Sequence, residues 1–248
     1  MDSAAGVVLV YVGTFAPALV ALALTRARGG RAGVRALVAR VLPAAAPARW
    51  WVFALGYTAA IKLAAALLRR LVTGEWPRFG TESLLLIPFA IALSTPVQAG
   101  EELGWRGYAL PRLASRMGLA PASLLLGLVW ALWHLPLFFA GGADKYGQSF
   151  VVYAVQVTAI SVAIAMLCAR TGGGLFLPML YHAAVNNTKD IVPAASAASH
   201  GVFSPRASLE AWLAAGVLWA CTLLILRWMV RTEADRRARY ADWIAPAG

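Results

Sequence analysis

The chain has 248 residues, a formal net charge of +11, and a composition that is 60% hydrophobic but only 13% charged. Soluble domains usually carry about 25% charged residues, so this deficit argues against an ordinary soluble domain. The basic residues lie between long apolar runs and not on one polar face, which argues against nucleic-acid binding. We therefore expect an all-α, polytopic transmembrane helical bundle that forms a single integral-membrane domain over residues 1–248.

Seven apolar runs follow one another, and each reaches or approaches the length of about 20 residues that crosses a bilayer. We predict about seven membrane helices, at roughly 4–25, 50–72, 83–104, 120–140, 149–169, 173–190 and 208–230. The first run is longer than the apolar core of a cleaved signal peptide, and we expect it to stay as a helix.

The distribution of Lys and Arg predicts the orientation of the chain. With the N-terminus outside, the segments on the cytoplasmic side hold most of the basic residues, including the stretches 26–49 and 227–239. We therefore predict a multi-pass protein of the cell inner (plasma) membrane, with its N-terminus outside and its C-terminus cytoplasmic. The stretch 26–49 is interpreted as a solvated topology signal, with binding to anionic headgroups as the alternative.

Polar side chains inside apolar runs need a reason, because a charge there costs about 2.5–3.5 kcal/mol on insertion scales. They are Lys62, Glu101, Glu102, His134, His182, Asn186 and Asn187. For Lys62 we expect a structural role, in which its long side chain snorkels or pairs with an acid on a neighbouring helix. His200 lies in a polar loop and is expected to be solvated.

Glu101 and Glu102 are adjacent, and adjacent residues of a helix point about 100° apart, so the two acids cannot do the same job. Glu102 is spaced i, i+4 from Arg106 with the acid first, which is the favourable order for an ion pair. Glu101 shares its face with Trp105, which we take as an apolar neighbour. The spacing therefore predicts a paired, structural Glu102 and a general base at Glu101.

His134 lies in the fourth run, while His182 and Asn186 are spaced i, i+4 in the sixth and face the same way. Glu101, His134 and His182 can hold zinc or another divalent metal that activates a water. Alternatively, Glu101 and His134 activate the water directly, and His182 and Asn186 stabilise an oxyanion. Both schemes hydrolyse a peptide bond, and the sequence leaves both open.

These motifs resemble the CPBP family of intramembrane proteases, which includes type II CAAX prenyl endopeptidases, bacteriocin-processing proteins and abortive-infection membrane proteins. The family motifs EExxxR, FxxxH and HxxxN/D match, in order, Glu101, Glu102 and Arg106, then Trp130 and His134, then His182 and Asn186. Trp130 stands where the family usually has Phe. The resemblance covers roughly residues 95–190 and gives a protease-like core at about 83–190.

The resemblance implies an intramembrane peptidase with a membrane-embedded polar cavity, acting on a membrane-associated peptide or protein within the lipid bilayer. Glu101 is then the essential base, and His134 helps it to hold the water. The resemblance also implies that His182 and Asn186 complete the pocket. Supporting roles fall to Glu102, Arg106 and Trp130. A divalent metal is the cofactor of one scheme only, and no nucleic-acid partner is expected.

Two other functions could use the same fold. A transporter would use the buried polar residues as an ion or proton path, and it would be expected to contain internal repeats, which the sequence lacks. A non-catalytic scaffold or immunity protein would keep the family fold without hydrolysis. The absence of HExxH and GxSxG motifs argues against a conventional zinc protease or serine hydrolase.

The apolar runs place Glu101 and His134 at depths that differ by roughly 15 Å in a core about 30 Å thick. A shared site therefore requires the third helix to continue past Glu101 to about Tyr108, with a kink or tilt at Pro88 or Pro96. A separation of more than about 10 Å between Glu101 and His134 would exclude a shared site.

Overall fold

The computed structural model describes residues 4–43, 45–81, 83–193, 201–232, 240 and 243–244. Within these ranges every regular element is a helix, which confirms the predicted all-α fold. His200 lies outside the described residues, as do the basic residues Arg236, Arg237 and Arg239, so the expectations for them stay predictions.

The α-helices are, in chain order, α1 (Ala4–Ala39), α2 (Ala48–Thr73), α3 (Leu86–Ser94), α4 (Ala99–Glu102), α5 (Leu110–Met117), α6 (Leu119–Trp133), α7 (Phe150–Arg170), α8 (Phe176–Thr188) and α9 (Leu209–Arg231). 3-10 turns cover Thr95–Gln98 and Leu135–Phe138, and a π-helix covers Leu103–Ala109.

Each of the seven predicted runs contains helix, and α1, α2, α7 and α9 are long and apolar enough to cross a membrane. The protein is therefore a polytopic membrane protein. The third run is divided into short segments, while α6 has 15 residues and α8 has 13. These shorter elements carry the polar motifs.

α7 is the central helix of the bundle. It packs against α6, α8 and α9, and 72% of its most apolar stretch is buried, against 17% for α1. α2 packs on α8 and α9. The outer faces of α1, α2 and α9 expose large aliphatic side chains such as Leu19, Leu71 and Leu224, as expected of helices that face lipid.

The third run is helical past Glu101, as a site shared by Glu101 and His134 requires. Helical structure passes Glu101 and continues to Met117 through the π-helix. The change of helix type occurs at the 3-10 turn that contains Pro96, whereas Pro88 lies inside α3 without a break. Because a π-turn widens the helix by one residue, the side chains after Glu102 are re-aimed relative to a straight α-helix.

Close contact with α1 holds this segment in place. A Cβ built on Gly104 would lie 2.5 Å from Cβ of Pro17, and one built on Gly100 would lie 2.7 Å from the carbonyl oxygen of Thr14. The spacing of the two glycines is the small-residue pattern that lets membrane helices approach closely. The contact thereby sets the position of Glu101, which lies between them in sequence.

Five of the six arginines in the stretch 26–49 are exposed, and Arg40 alone differs from the predicted solvated signal. α1 is kinked at Gly30, whose φ of 61° is a left-handed value that glycine adopts easily, and helix resumes after it to Ala39. Arg40 then points inward, where its guanidinium donates to the carbonyl oxygens of Gly173 and Gly107 at 2.7 and 2.9 Å. Arg40 is therefore a structural residue that joins the end of α1 to the π-helix and to the start of α8.

Candidate active site

Glu101 is buried, and its carboxylate accepts hydrogen bonds from two indoles. Nε1 of Trp130 donates to Oε2 at 2.6 Å, and Nε1 of Trp105 donates to the same oxygen at 3.2 Å. Trp105 is thus a hydrogen-bond donor and not the purely apolar neighbour that the sequence suggested. Oε1 faces His134 instead, 3.9 Å from its Nε2. The two side chains therefore lie well within the separation that a shared site requires.

His134 forms the C-terminal cap of α6, where the α-helix changes to the 3-10 turn. Its Nδ1 lies 2.9 Å from the carbonyl oxygen of Trp130. Since a carbonyl oxygen only accepts, the neutral ring carries its proton on Nδ1 and its Nε2 is an acceptor. His134 and Glu101 thus present two acceptor atoms to each other.

Glu102 and Arg106 form the i, i+4 ion pair expected from their spacing. Nη1 of Arg106 donates to Oε1 of Glu102 at 2.8 Å, and both side chains are 0% exposed. The same oxygen accepts from Nδ1 of His182 at 2.9 Å. Glu102 therefore orients His182 as well as pairing with Arg106, and this second contact leaves Nε2 of His182 directed away from the ion pair.

Trp130 lies at the centre of the site and is 3% exposed. Its ring packs edge-to-face against His182 with centroids 5.0 Å apart, and the guanidinium carbon of Arg106 lies 4.4 Å from the ring centroid. The indole thus contacts the ion pair through its face and Glu101 through its N–H.

The neighbouring amides Asn186 and Asn187 differ in their surroundings. Asn186 lies one turn after His182, lines the cavity and is exposed, and its side chain has no hydrogen bond to another described residue. Nδ2 of Asn187 donates to Oγ of Ser94 at 2.9 Å and to the carbonyl oxygen of Ala183 at 2.8 Å. Asn187 is therefore structural, whereas the amide of Asn186 is available to a ligand.

A cavity of about 600 Å³ joins these side chains, a size within the usual range of ligand pockets. Its lining includes all four predicted catalytic residues, Glu101, His134, His182 and Asn186, and also Trp130. Glu102 and Arg106 lie behind this lining. The structure thus brings residues from three separate segments of the chain to one chamber.

Lys62 also lines the cavity, a placement that its expected structural role did not include. Its Nζ donates to the carbonyl oxygen of Val192 at 3.3 Å, and within the described ranges no carboxylate oxygen lies within 4 Å of it. Sequence analysis missed this placement because the partner of a lone lysine cannot be read from its own helix.

The three predicted metal ligands, Glu101, His134 and His182, line one cavity. Among the residues that the structure describes, no three His, Cys, Asp or Glu side chains are placed to hold one ion. Oε2 of Glu101 is bound by two indole N–H groups, while its Oε1 lies 3.9 Å from Nε2 of His134. The described arrangement is therefore not a preformed zinc-type triad, and the metal stays a prediction.

The segment that carries the site is similar to known proteins. Residues 81–188 match the family described as type II CAAX prenyl endopeptidase Rce1-like. The chain is also 33% identical over 98 residues to CAAX prenyl protease 2 of Methanococcus maripaludis. That match covers 37% of this chain and 36% of the relative, so the chain spans little more than a third of that protein's length. The matched residues 81–188 hold every motif, so this segment of the chain is similar to the Rce1-like family of type II CAAX prenyl endopeptidases.

Proposed function

We propose that this protein is an intramembrane endopeptidase in which Glu101 and His134 activate a water for attack on a peptide bond. The proposal rests on the distance of 3.9 Å between Oε1 of Glu101 and Nε2 of His134. A water that donates to two acceptors at about 2.8 Å each places those acceptors about 4.4 Å apart. The observed separation is close to this value, and the lone pairs of such a water point away from both side chains.

In the first step the water oxygen bonds to the carbonyl carbon of the substrate while one proton passes to Glu101. His134 accepts the second hydrogen bond of the water and holds its orientation. The proton then passes to the amide nitrogen, and the C–N bond of the tetrahedral intermediate breaks. The burial of Glu101 keeps competing water away from the reacting atoms.

The negative charge that develops on the carbonyl oxygen needs donors on the opposite side of the substrate. Asn186 offers an amide N–H that no described residue uses. His182 donates through Nδ1 to Glu102 and lines the same cavity. We assign Asn186 as the donor to the oxyanion and His182 to the wall of the same pocket.

The membrane-associated nature of the substrate is part of this proposal. The spanning helices and the family relationship support a peptide or protein that reaches the site from the bilayer. The distribution of Arg and Lys supports a location in the plasma membrane with the N-terminus outside.

The test is cleavage of a panel of membrane peptides by purified protein in detergent. Glu101→Gln removes the proton acceptor and should lower kcat by about 10²–10⁴-fold. Gly56→Ala, at an uncrowded site in α2, is the control and should cleave like the wild type. Equal cleavage by the wild type and Glu101→Gln would reject the proposal. Ion flux into liposomes without cleavage would favour a transporter.

Metal analysis before and after chelation separates the two schemes for water activation. We expect cleavage to persist in metal-free protein, because the described side chains supply no converging ligand set. Bound zinc that is lost together with activity would favour the metal-assisted scheme.

A further inference from the structure

The indole of Trp130 makes the shortest hydrogen bond to Glu101 in the described part of the chain, at 2.6 Å from Nε1 to Oε2. This is shorter than the usual N–H···O distance of about 2.9 Å, which is the direction expected for a bond to a charged acceptor. Trp105 donates to the same oxygen at 3.2 Å. The two indoles together occupy Oε2, and Oε1 is left to face His134.

Arg106 connects this hydrogen bond to the second acid of the motif. Its guanidinium lies over the face of the Trp130 ring, 4.4 Å from the centroid, and its Nη1 is bound by Glu102. A cation on the face of an indole draws π-electron density from the ring, so the N–H becomes a stronger donor. A polarised path therefore runs from Glu102 through Arg106 and Trp130 to Glu101.

We propose that Trp130 is a positioning residue whose N–H, strengthened by Arg106, fixes Oε2 and leaves Oε1 as the oxygen that receives the proton. This inference rests on the proposed function. It also gives the Glu102–Arg106 pair a role in catalysis through the indole. Phenylalanine at position 130 would keep a ring against Arg106 but could not donate to Glu101.

The first experiment separates positioning from substrate binding. Trp130→Phe should lower kcat by about tenfold or more and change KM by less than about twofold, because the lost bond is to a charged acceptor. Trp105→Phe removes the longer bond and should have a smaller effect. Trp219→Phe is the matched control, since its indole donates at 3.0 Å to the carbonyl oxygen of Val155, and it should leave kcat unchanged. Equal kcat losses in Trp130→Phe and Trp219→Phe would overturn the proposal.

A second experiment detects the hydrogen bond by NMR and needs no substrate cleavage. Its result can therefore reject the bond independently of the proposed peptidase function. In spectra of protein with ¹⁵N-labelled Trp, one low-field indole proton should disappear in Trp130→Phe and move upfield in Glu101→Gln, where the acceptor is neutral. The Trp219 signal should not respond to Glu101→Gln. If no indole N–H signal moves in Glu101→Gln relative to the wild type, the hydrogen bond from Trp130 to Glu101 is rejected. A Glu101-dependent signal in a protein that cleaves no peptide would reject the peptidase but support the bond.

Discussion

Nδ1 of His182 donates to Oε1 of Glu102 at 2.9 Å, across a sequence separation of 80 residues. The same oxygen accepts from Arg106. One buried carboxylate oxygen thus joins the first and third motifs. The two adjacent acids therefore have different roles. Glu101 faces the cavity, whereas Glu102 fixes the side chains of Arg106 and His182.

Glu102→Gln should strongly destabilise the protein. The substitution leaves the guanidinium of Arg106, which is 0% exposed, without a carboxylate, and breaking a buried pair in this way costs about 3–5 kcal/mol. Unfolding in detergent by a denaturant measures the loss. Glu210→Gln is the matched control, because Arg69 and Glu210 are 24% and 13% exposed, so water screens this pair more and a smaller loss is expected. Similar losses in the two variants would contradict the structural role of Glu102.

Gly104→Ala should separate α1 from the segment that carries Glu101. The added methyl would meet Pro17 at 2.5 Å, where both its Cβ and its backbone crowd the position. Overpacking of this kind costs about 1–3 kcal/mol, and the shift should also lower activity. Gly56→Ala has no atom within 4 Å of the new methyl and should be neutral or stabilising, since Ala is the better helix former. Equal melting temperatures for the two variants would refute the close approach.

Lys62→Met should stabilise the protein. The ammonium group lies within a spanning helix and has no described carboxylate within 4 Å, so Asp190 compensates its charge only from a greater distance. Replacement by an apolar side chain of similar length should raise the free energy of unfolding by about 1 kcal/mol or more. Lys189→Met, which breaks the contact of 3.1 Å to Asp144, provides the comparison and should not stabilise. A lower stability of Lys62→Met than of the wild type would show that the lysine is already paired.

Asp144, in the loop before α7, should give a small acid-dependent loss of stability. Burial raises its pKa, but Lys145 and Lys189 outweigh burial and hold the pKa below the ordinary value. A depressed folded pKa contributes stability above the unfolded value of about 3.9, and this contribution is lost as the pH falls through the folded value. The difference in stability between the wild type and Asp144→Asn should therefore be constant above about pH 5 and shrink below pH 4. A difference that grows on acidification would contradict the assignment.

Local spacing was enough to predict the contacts that lie within one helix. The Glu102–Arg106 pair and the shared face of Glu101 and Trp105 both follow from an i, i+4 interval. The nature of the second contact did not follow, because an indole can pack through its face or donate through its edge. Only the rotamer seen in the structure makes Trp105 a donor.

Contacts between distant segments needed the three-dimensional structure. Nothing in the sequence joins His182 to Glu102, or Arg40 to the carbonyl of Gly173, because each pair is brought together by the packing of several helices. Hydropathy also treated the third run as a single span. The 3-10 and π segments within it arise from Pro96 and from tertiary contacts that a sliding average does not detect.

The contact between α1 and Gly104 bears on any attempt to reduce the protein to a minimal enzyme. The family segment begins at residue 81, whereas Pro17 and Thr14 lie far upstream of it. A fragment of residues 81–188 would keep every motif but would lose the contact with α1 that positions Glu101. Grafting this active site onto another scaffold therefore requires a surrogate for α1, placed close enough that only glycine fits between the two backbones.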